Sequence, residues 1–233
     1  CSHCHPDGDE DGIVWDFTDR GEGLRNTLSL LGRRGTGDGP IHWSGNFDEV
    51  QDFEGDIRNA FGGTGLLSAA DWAASSASMG PAKAGRSADL DAVAAYVTSL
   101  SDPPPSPWLA SDGGISSSAA RGRAVFERSD VQCATCHAGA RLTDSQFIDA
   151  GVPLLHDVGT LTPASGKRLN GTLTGLDTPS LVGFWRNPPF LHDGSARTIA
   201  DVLGAKNASD RHGRTSILTA QELADLEDYL RSL

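Results

Sequence analysis

Cys133-Ala134-Thr135-Cys136-His137 decides how this chain is read, and Cys1-Ser2-His3-Cys4-His5 repeats its pattern. All 4 cysteines fall in these two pairs, each a Cys-x-x-Cys followed at once by His. The spacing has a chemical reason. Two thiols three positions apart can each add to a vinyl group of one haem, and the next residue then lies under the iron, where His offers a neutral imidazole nitrogen. A four-Cys zinc site would set its pairs roughly 15–20 residues apart and would not need His after both. Thioredoxin-like redox pairs would sit in a βαβ context, which neither pair shows. The motifs therefore point to two covalent c-type haems, held by Cys1, Cys4, Cys133 and Cys136, with His5 and His137 as proximal ligands.

Covalent haem attachment in bacteria takes place outside the cytoplasm, so a periplasmic or extracellular location is expected. A c-type domain ordinarily has a helix ahead of its haem motif. The chain opens on Cys1, so its first domain is expected to lack that lead helix, as a trimmed chain would. Composition narrows the field further. With 19 basic and 31 acidic residues the 233-residue chain carries −12, leaving no basic surplus to neutralise nucleic-acid phosphates. The 28 glycines and 12 prolines predict many loops. No apolar run approaches the roughly 20 residues that span a bilayer.

Two halves follow from the pattern along the chain. Ser101-Asp102-Pro103-Pro104-Pro105-Ser106-Pro107 cannot continue a helix. It reads as the start of a stiff linker over 103–114, between haem domains at 1–102 and 115–233. Leu90, Val93, Ala94, Val97 and Leu100 predict an amphipathic helix before it. The capping-box pattern Thr219 to Glu222 and the stripe Leu223, Leu226, Leu230 and Leu233 predict another at the end. Tyr96-Val97-Thr98-Ser99-Leu100 echoes Tyr229-Leu230-Arg231-Ser232-Leu233. Thr27 to Gly32, leading to Trp43-Ser44-Gly45, echoes Thr178 to Gly183, leading to His192-Asp193-Gly194. The expected fold is mainly α with little β: two cytochrome-c-like haem domains related by internal duplication.

Four segments in fixed order carry a family resemblance in the second half: Cys133 to His137, Leu155-His156-Asp157-Val158-Gly159-Thr160, Thr178-Pro179-Ser180-Leu181, and Pro189-Phe190-Leu191-His192-Asp193-Gly194-Ser195. The first half adds Cys1 to His5, Arg25-Asn26-Thr27 and His42-Trp43-Ser44-Gly45. The sequence resembles the bacterial di-haem cytochrome c peroxidase family, which includes the methylamine-dehydrogenase maturation enzymes. The resemblance implies an oxidoreductase in which the C-terminal haem takes electrons from a small c-type cytochrome or cupredoxin. The N-terminal haem would meet hydrogen peroxide or another small oxidant, with Trp43 between the two. It also implies a calcium ion between the domains, with Asn26 matching the Asn ligand and Asn187 and Pro189 the carbonyl donors. Homodimerisation is compatible with it.

The sixth iron position decides between electron transfer and oxidant chemistry. Met79 and His212 stand equally far ahead of Leu100 and Leu233, which makes them the distal-ligand candidates. Lys206 lies where the family places its Met, and His42 is a further candidate for the first haem. His156 and His192 are expected to pack or hydrogen-bond near the second haem, and His3 to be solvated. The family's acid/base residue follows its Trp, but here Asp56-Ile57-Arg58-Asn59-Ala60-Phe61-Gly62-Gly63 has no Glu at that place. Glu49 and Gln51, with Glu54, are the nearest substitutes. A related oxidase or oxygenase, or a pure electron-transfer module, is the alternative activity.

Overall fold

The computed structural model describes residues 1–233, mostly short helices and turns with little sheet. The final helix, α7 (Ala220–Arg231), begins at the expected capping box: the Glu222 N–H donates to Thr219 Oγ1 and the Thr219 N–H to Glu222 Oε2. Its buried face, Leu226, Tyr229 and Leu230, packs on α4 (Ser117–Phe126), which Ser116 caps. The helices cross at Gly122, where a Cβ would lie 1.9 Å from the Asp225 carbonyl oxygen. Only glycine permits that approach. Arg121 clamps the crossing with two 2.7 Å bonds to the Asp225 carboxylate, and Phe126 meets Tyr229 edge-on at 5.3 Å. Around this pair lies the main core of 13 buried apolar residues, with α6 (Ile199–Leu203) closing one side and α5 (Cys133–Cys136) presenting the haem motif.

The first half is held more by charge than by apolar packing. Its helix α3 (Ala88–Ser99), capped by Ser87, lays Leu90 and Ala94 on the turn Val50–Asp52. The short α1 (Phe53–Gly55) runs into a π turn over Asp56–Ala60, and α2 (Ala69–Ser75) follows. Lys83 and Asp52, both 1% exposed, form a 2.6 Å ion pair. Glu54 is fully buried and accepts from Arg58 and from the Leu66 and Leu67 N–H groups. The remaining regular structure is three two-stranded antiparallel ribbons: β1 (Val14–Asp16) with β2 (Leu24–Asn26), β3 (Phe147–Asp149) with β4 (Val152–Pro153), and β5 (Lys167–Arg168) with β6 (Gly171–Thr172). No helix is long and apolar enough to cross a membrane.

Matched details run through the two halves. The Gly32 N–H donates to the Leu100 carbonyl and the Gly183 N–H to that of Leu233, each glycine at positive φ tied to the last helix of its half. The bridge Ile41–Phe47 closes a loop holding His42 and Trp43, and the bridge Phe190–Ala196 closes one holding Leu191 and His192. His42 and Leu191 share φ near +70°. The halves are stitched at β2: Arg25 donates to the Ser165 and Lys167 carbonyls, and the Asn26 N–H to that of His192. The segment 103–114 departs from the expected spacer. Ser106 Oγ donates to the Arg231 carbonyl at 2.6 Å, and Trp108 packs edge-on against Trp185 at 5.5 Å, so it lies strapped along the C-terminal half.

Candidate di-haem site

The short helix α5 presents Cys133 and Cys136 to a cavity of about 290 Å³. Phe126, Leu181, Phe190, Val202 and Leu230 give it an apolar wall, and His137, His212, His156, His192, Trp43 and Asp177 bring the polar groups. His137 Nδ1 bonds the Leu142 carbonyl at 3.1 Å, which leaves Nε2 as the free nitrogen. Burial lowers the His137 pKa, so the imidazole stays neutral, the form that ligates metal. The His212 ring stands opposite it with 6.2 Å between ring centres. Two metal–nitrogen bonds of about 2 Å, with about 1 Å from each nitrogen to its ring centre, span about the same distance. The residues therefore fit a covalent haem that His137 and His212 would hold.

His212 owes its place to a residue the sequence reading passed over. The buried Asn207 donates from Nδ2 to the Gly213 carbonyl at 2.7 Å and to Thr215 Oγ1, and its Oδ1 accepts the His212 N–H at 2.8 Å. Nothing in its local pattern marks it, because it organises a loop through its side chain. Burial pushes the His212 imidazole down to about 4, with His137 adding to the shift. Lys206 is exposed to solvent, away from the ligand role offered by its alignment. His156 bonds Asp144 at 2.9 Å, and His192 bonds Ser165 Oγ at 2.7 Å, so both pack beside the cavity as expected. His3 is exposed.

At the first motif the same turn recurs. The His5 N–H donates to the Cys1 carbonyl at 2.8 Å, as His137 does to Cys133 at 3.1 Å, and His5 Nδ1 faces the Asp9 carbonyl at 3.3 Å. Burial pushes His5 down to about 4, with His42 the next cause, so this imidazole too is neutral and available to iron. Its distal side differs. His42 bonds Asn46 at 2.7 Å and packs against Phe47 and Phe53, with ring centres 4.6 and 5.0 Å away. The Met79 sulfur accepts from the Arg168 guanidinium at 3.2 Å.

Glu49 and Gln51 also have other tasks. Glu49 accepts the Lys83 and Ala84 N–H groups, and Gln51 bonds Asp91, so both fasten the segment leading into α3. Glu54 is locked by Arg58. Asp56 is the carboxyl left near His42, held above the usual carboxylate range by burial and drawn back by His42 and Arg20. Trp43, at 9% exposure, donates from Nε1 to the Asn26 carbonyl at 2.9 Å and meets His192 edge-on at 6.4 Å. Its neighbour in sequence, His42, faces the other site. Asn26 Nδ2 donates to the Pro189 carbonyl, while the buried Oδ1 atoms of Asn26 and Asn187 lack partners. Unpartnered buried amide oxygens beside a carbonyl form a donor set that suits a hard cation.

No family model matches the sequence. Over its whole length the chain is 30% identical to the gamma subunit of hydrazine synthase from Kuenenia stuttgartiensis, covering 71% of that subunit. A chain of xenon-pressurised K. stuttgartiensis hydrazine synthase has a TM-score of 0.70 at 26% identity, covering 100% of this chain and 80% of that one. Over 52% of its length the chain is 33% identical to the methylamine utilization protein MauG of Methylophilus methylotrophus, covering 37% of it. The diheme peroxidase BthA of Burkholderia thailandensis, as a variant, shares the fold at a TM-score of 0.55 and 16% identity, covering 100% of this chain and 80% of BthA's. Two Cys-x-x-Cys-His motifs, each with a buried neutral imidazole, agree with these likenesses. The chain belongs to the MauG-like family of di-haem oxidoreductases.

Proposed function

We propose that the protein reduces hydrogen peroxide to water at the His5 site, using electrons that a small c-type cytochrome or cupredoxin delivers to the His137 site. The observation that carries this reading is the inequality of the two distal sides. An imidazole faces His137 across 6.2 Å, whereas the His42 ring is turned into an aromatic cage. A sixth protein ligand suits an iron that only passes electrons, and an open position admits a small oxidant. When bound, the haems supply one-electron redox chemistry at both sites, and peroxide binding at the open one. Turning one peroxide into two waters consumes two electrons and two protons, so the open site needs an acid. Asp56 suits that role because burial keeps its carboxyl protonated to higher pH, with His42 beside it to orient the oxidant or relay the proton. Trp43 lies on the electron path, buried against the His137 cavity one residue from His42.

The matched glycine bonds and matched loops support an internal duplication, one haem unit per half, and calcium at Asn26, Asn187 and Pro189 would tie the units together. Haem attachment supports a periplasmic location. The test is steady-state oxidation of a reduced c-type cytochrome by peroxide. The expected result is sustained turnover that falls by about 10²–10⁴ in Asp56→Asn with both haems retained. A two-haem protein inert to peroxide would overturn it. That outcome would favour a second reading: a di-haem subunit serving another small substrate within a larger enzyme. The hydrazine synthase subunit is similar over the whole chain, and MauG over 52% of it.

A further inference from the structure

Of the buried carboxylates, Glu22, Asp52, Glu54 and Asp225 are each ion-paired, to Arg25, Lys83, Arg58 and Arg121. Asp177, 8% exposed, forms no ion pair: Ser145 Oγ donates to its Oδ2 at 2.8 Å, and its buried Oδ1 has no partner. It lines the His137 cavity, and its backbone N–H donates to the Trp43 carbonyl at 2.8 Å. It therefore sits where the cavity meets the bridge between the halves.

We propose that Asp177 is a positioning residue for electron delivery, taking up a proton when the His137 site gains an electron and releasing it when that electron moves on past Trp43. The inference rests on the two-haem reading above. The donor protein would lose one electron, the haem that His137 would hold would gain it, and a proton from water would go to a carboxylate oxygen of Asp177. The charge of the cavity region is then unchanged. In a low-dielectric interior an uncompensated electron is costly, and a protonatable group in the cavity wall removes the cost. Burial pushes the Asp177 carboxyl up to about 7, against the pull of Ser145 and Arg33. Both forms are then populated near neutral pH, and an added negative charge nearby favours the protonated one. The charged and titratable groups facing it are Arg33 and Asp144, with the Asp38–Arg141 pair beside Arg33. His137, His156 and His192 share its cavity.

The experiment is a spectroelectrochemical titration of the matured protein between pH 5.5 and 8.5, reading the reduction potential of the low-spin haem. In the wild type the potential is expected to fall with pH near neutrality, approaching about 59 mV per tenfold change in proton activity, the limit for one proton per electron. In Asp177→Asn the slope should flatten and the potential should lie higher above neutral pH. Ser145→Ala removes a bond that favours the carboxylate, so the pH at which the slope changes should move up. It also serves if the Asn variant loses its haems. Equal slopes in wild type and Asp177→Asn, or an unmoved bend in Ser145→Ala, would overturn the proposal. A protein without any haem redox transition would instead overturn the two-haem reading itself.

Discussion

Two desolvated imidazoles, His137 and His212, face each other across the width of one metal ion, each fixed by its neighbours. Removing one should change the spin state of the haem iron that they would hold. In His212→Ala the C-terminal haem should turn from low-spin to high-spin in the EPR spectrum of the oxidised protein, and an unchanged low-spin signal would remove His212 from the ligand role. At the other site the Asp56 carboxyl must be protonated to act as an acid. Peroxide turnover should be level at low pH and fall as pH rises through its upward-displaced pKa, a limb that Asp56→Asn should abolish. The haem-attachment motifs, with the His that each carries, were legible in the sequence because thioether chemistry fixes their spacing along the chain. Distal groups were not. Met79 matched His212 in spacing yet turned its sulfur to Arg168, because which loop folds over a haem depends on tertiary packing. Asp177 did leave a trace. It precedes Thr178 as Asn26 precedes Thr27, and the two donate backbone N–H groups to His192 and Trp43 in reciprocal fashion.

The elements were the most legible part of the fold. Helix α3 falls over Ala88–Ser99 and α7 starts at its capping box, because both signals are local: apolar periodicity and a side chain bonding its own first turn. How the elements cross was hidden, since the contact at Gly122 joins residues far apart in sequence. Gly122→Ala should lower stability by about 1–3 kcal/mol or more in urea unfolding, as the added methyl meets a backbone carbonyl that cannot step aside. In the first half the lock is the Lys83–Asp52 pair, fully removed from water. Lys83→Met should cost about 3–5 kcal/mol by stranding the Asp52 charge, and adding Asp52→Leu should recover part of the loss. If the double variant is no more stable than the single one, the unpaired charge is not the cause.

At the scale of the molecule, the part around His137 is built on an apolar core of 13 buried residues, and the part that holds Lys83 and Glu54 is fastened by buried ion pairs. The order of motifs carried the family resemblance that the relatives bear out. The way β2 inserts its arginine and asparagine into the second half depends on side chains reaching distant backbone carbonyls, which no periodicity encodes. That seam is where calcium would act. Asn26→Ala should lower the thermal midpoint in calcium-containing buffer and abolish the further loss caused by a chelator; an undiminished chelator effect would place the ion elsewhere. The most direct test of the whole account is the haem content of the matured protein, measured as its intact mass together with its pyridine haemochrome absorbance. The account predicts two covalently bound haems per chain, falling to one when Cys133 and Cys136 are both replaced by serine. A chain that matures with one haem or none, or whose haem count is unchanged by that replacement, would contradict it.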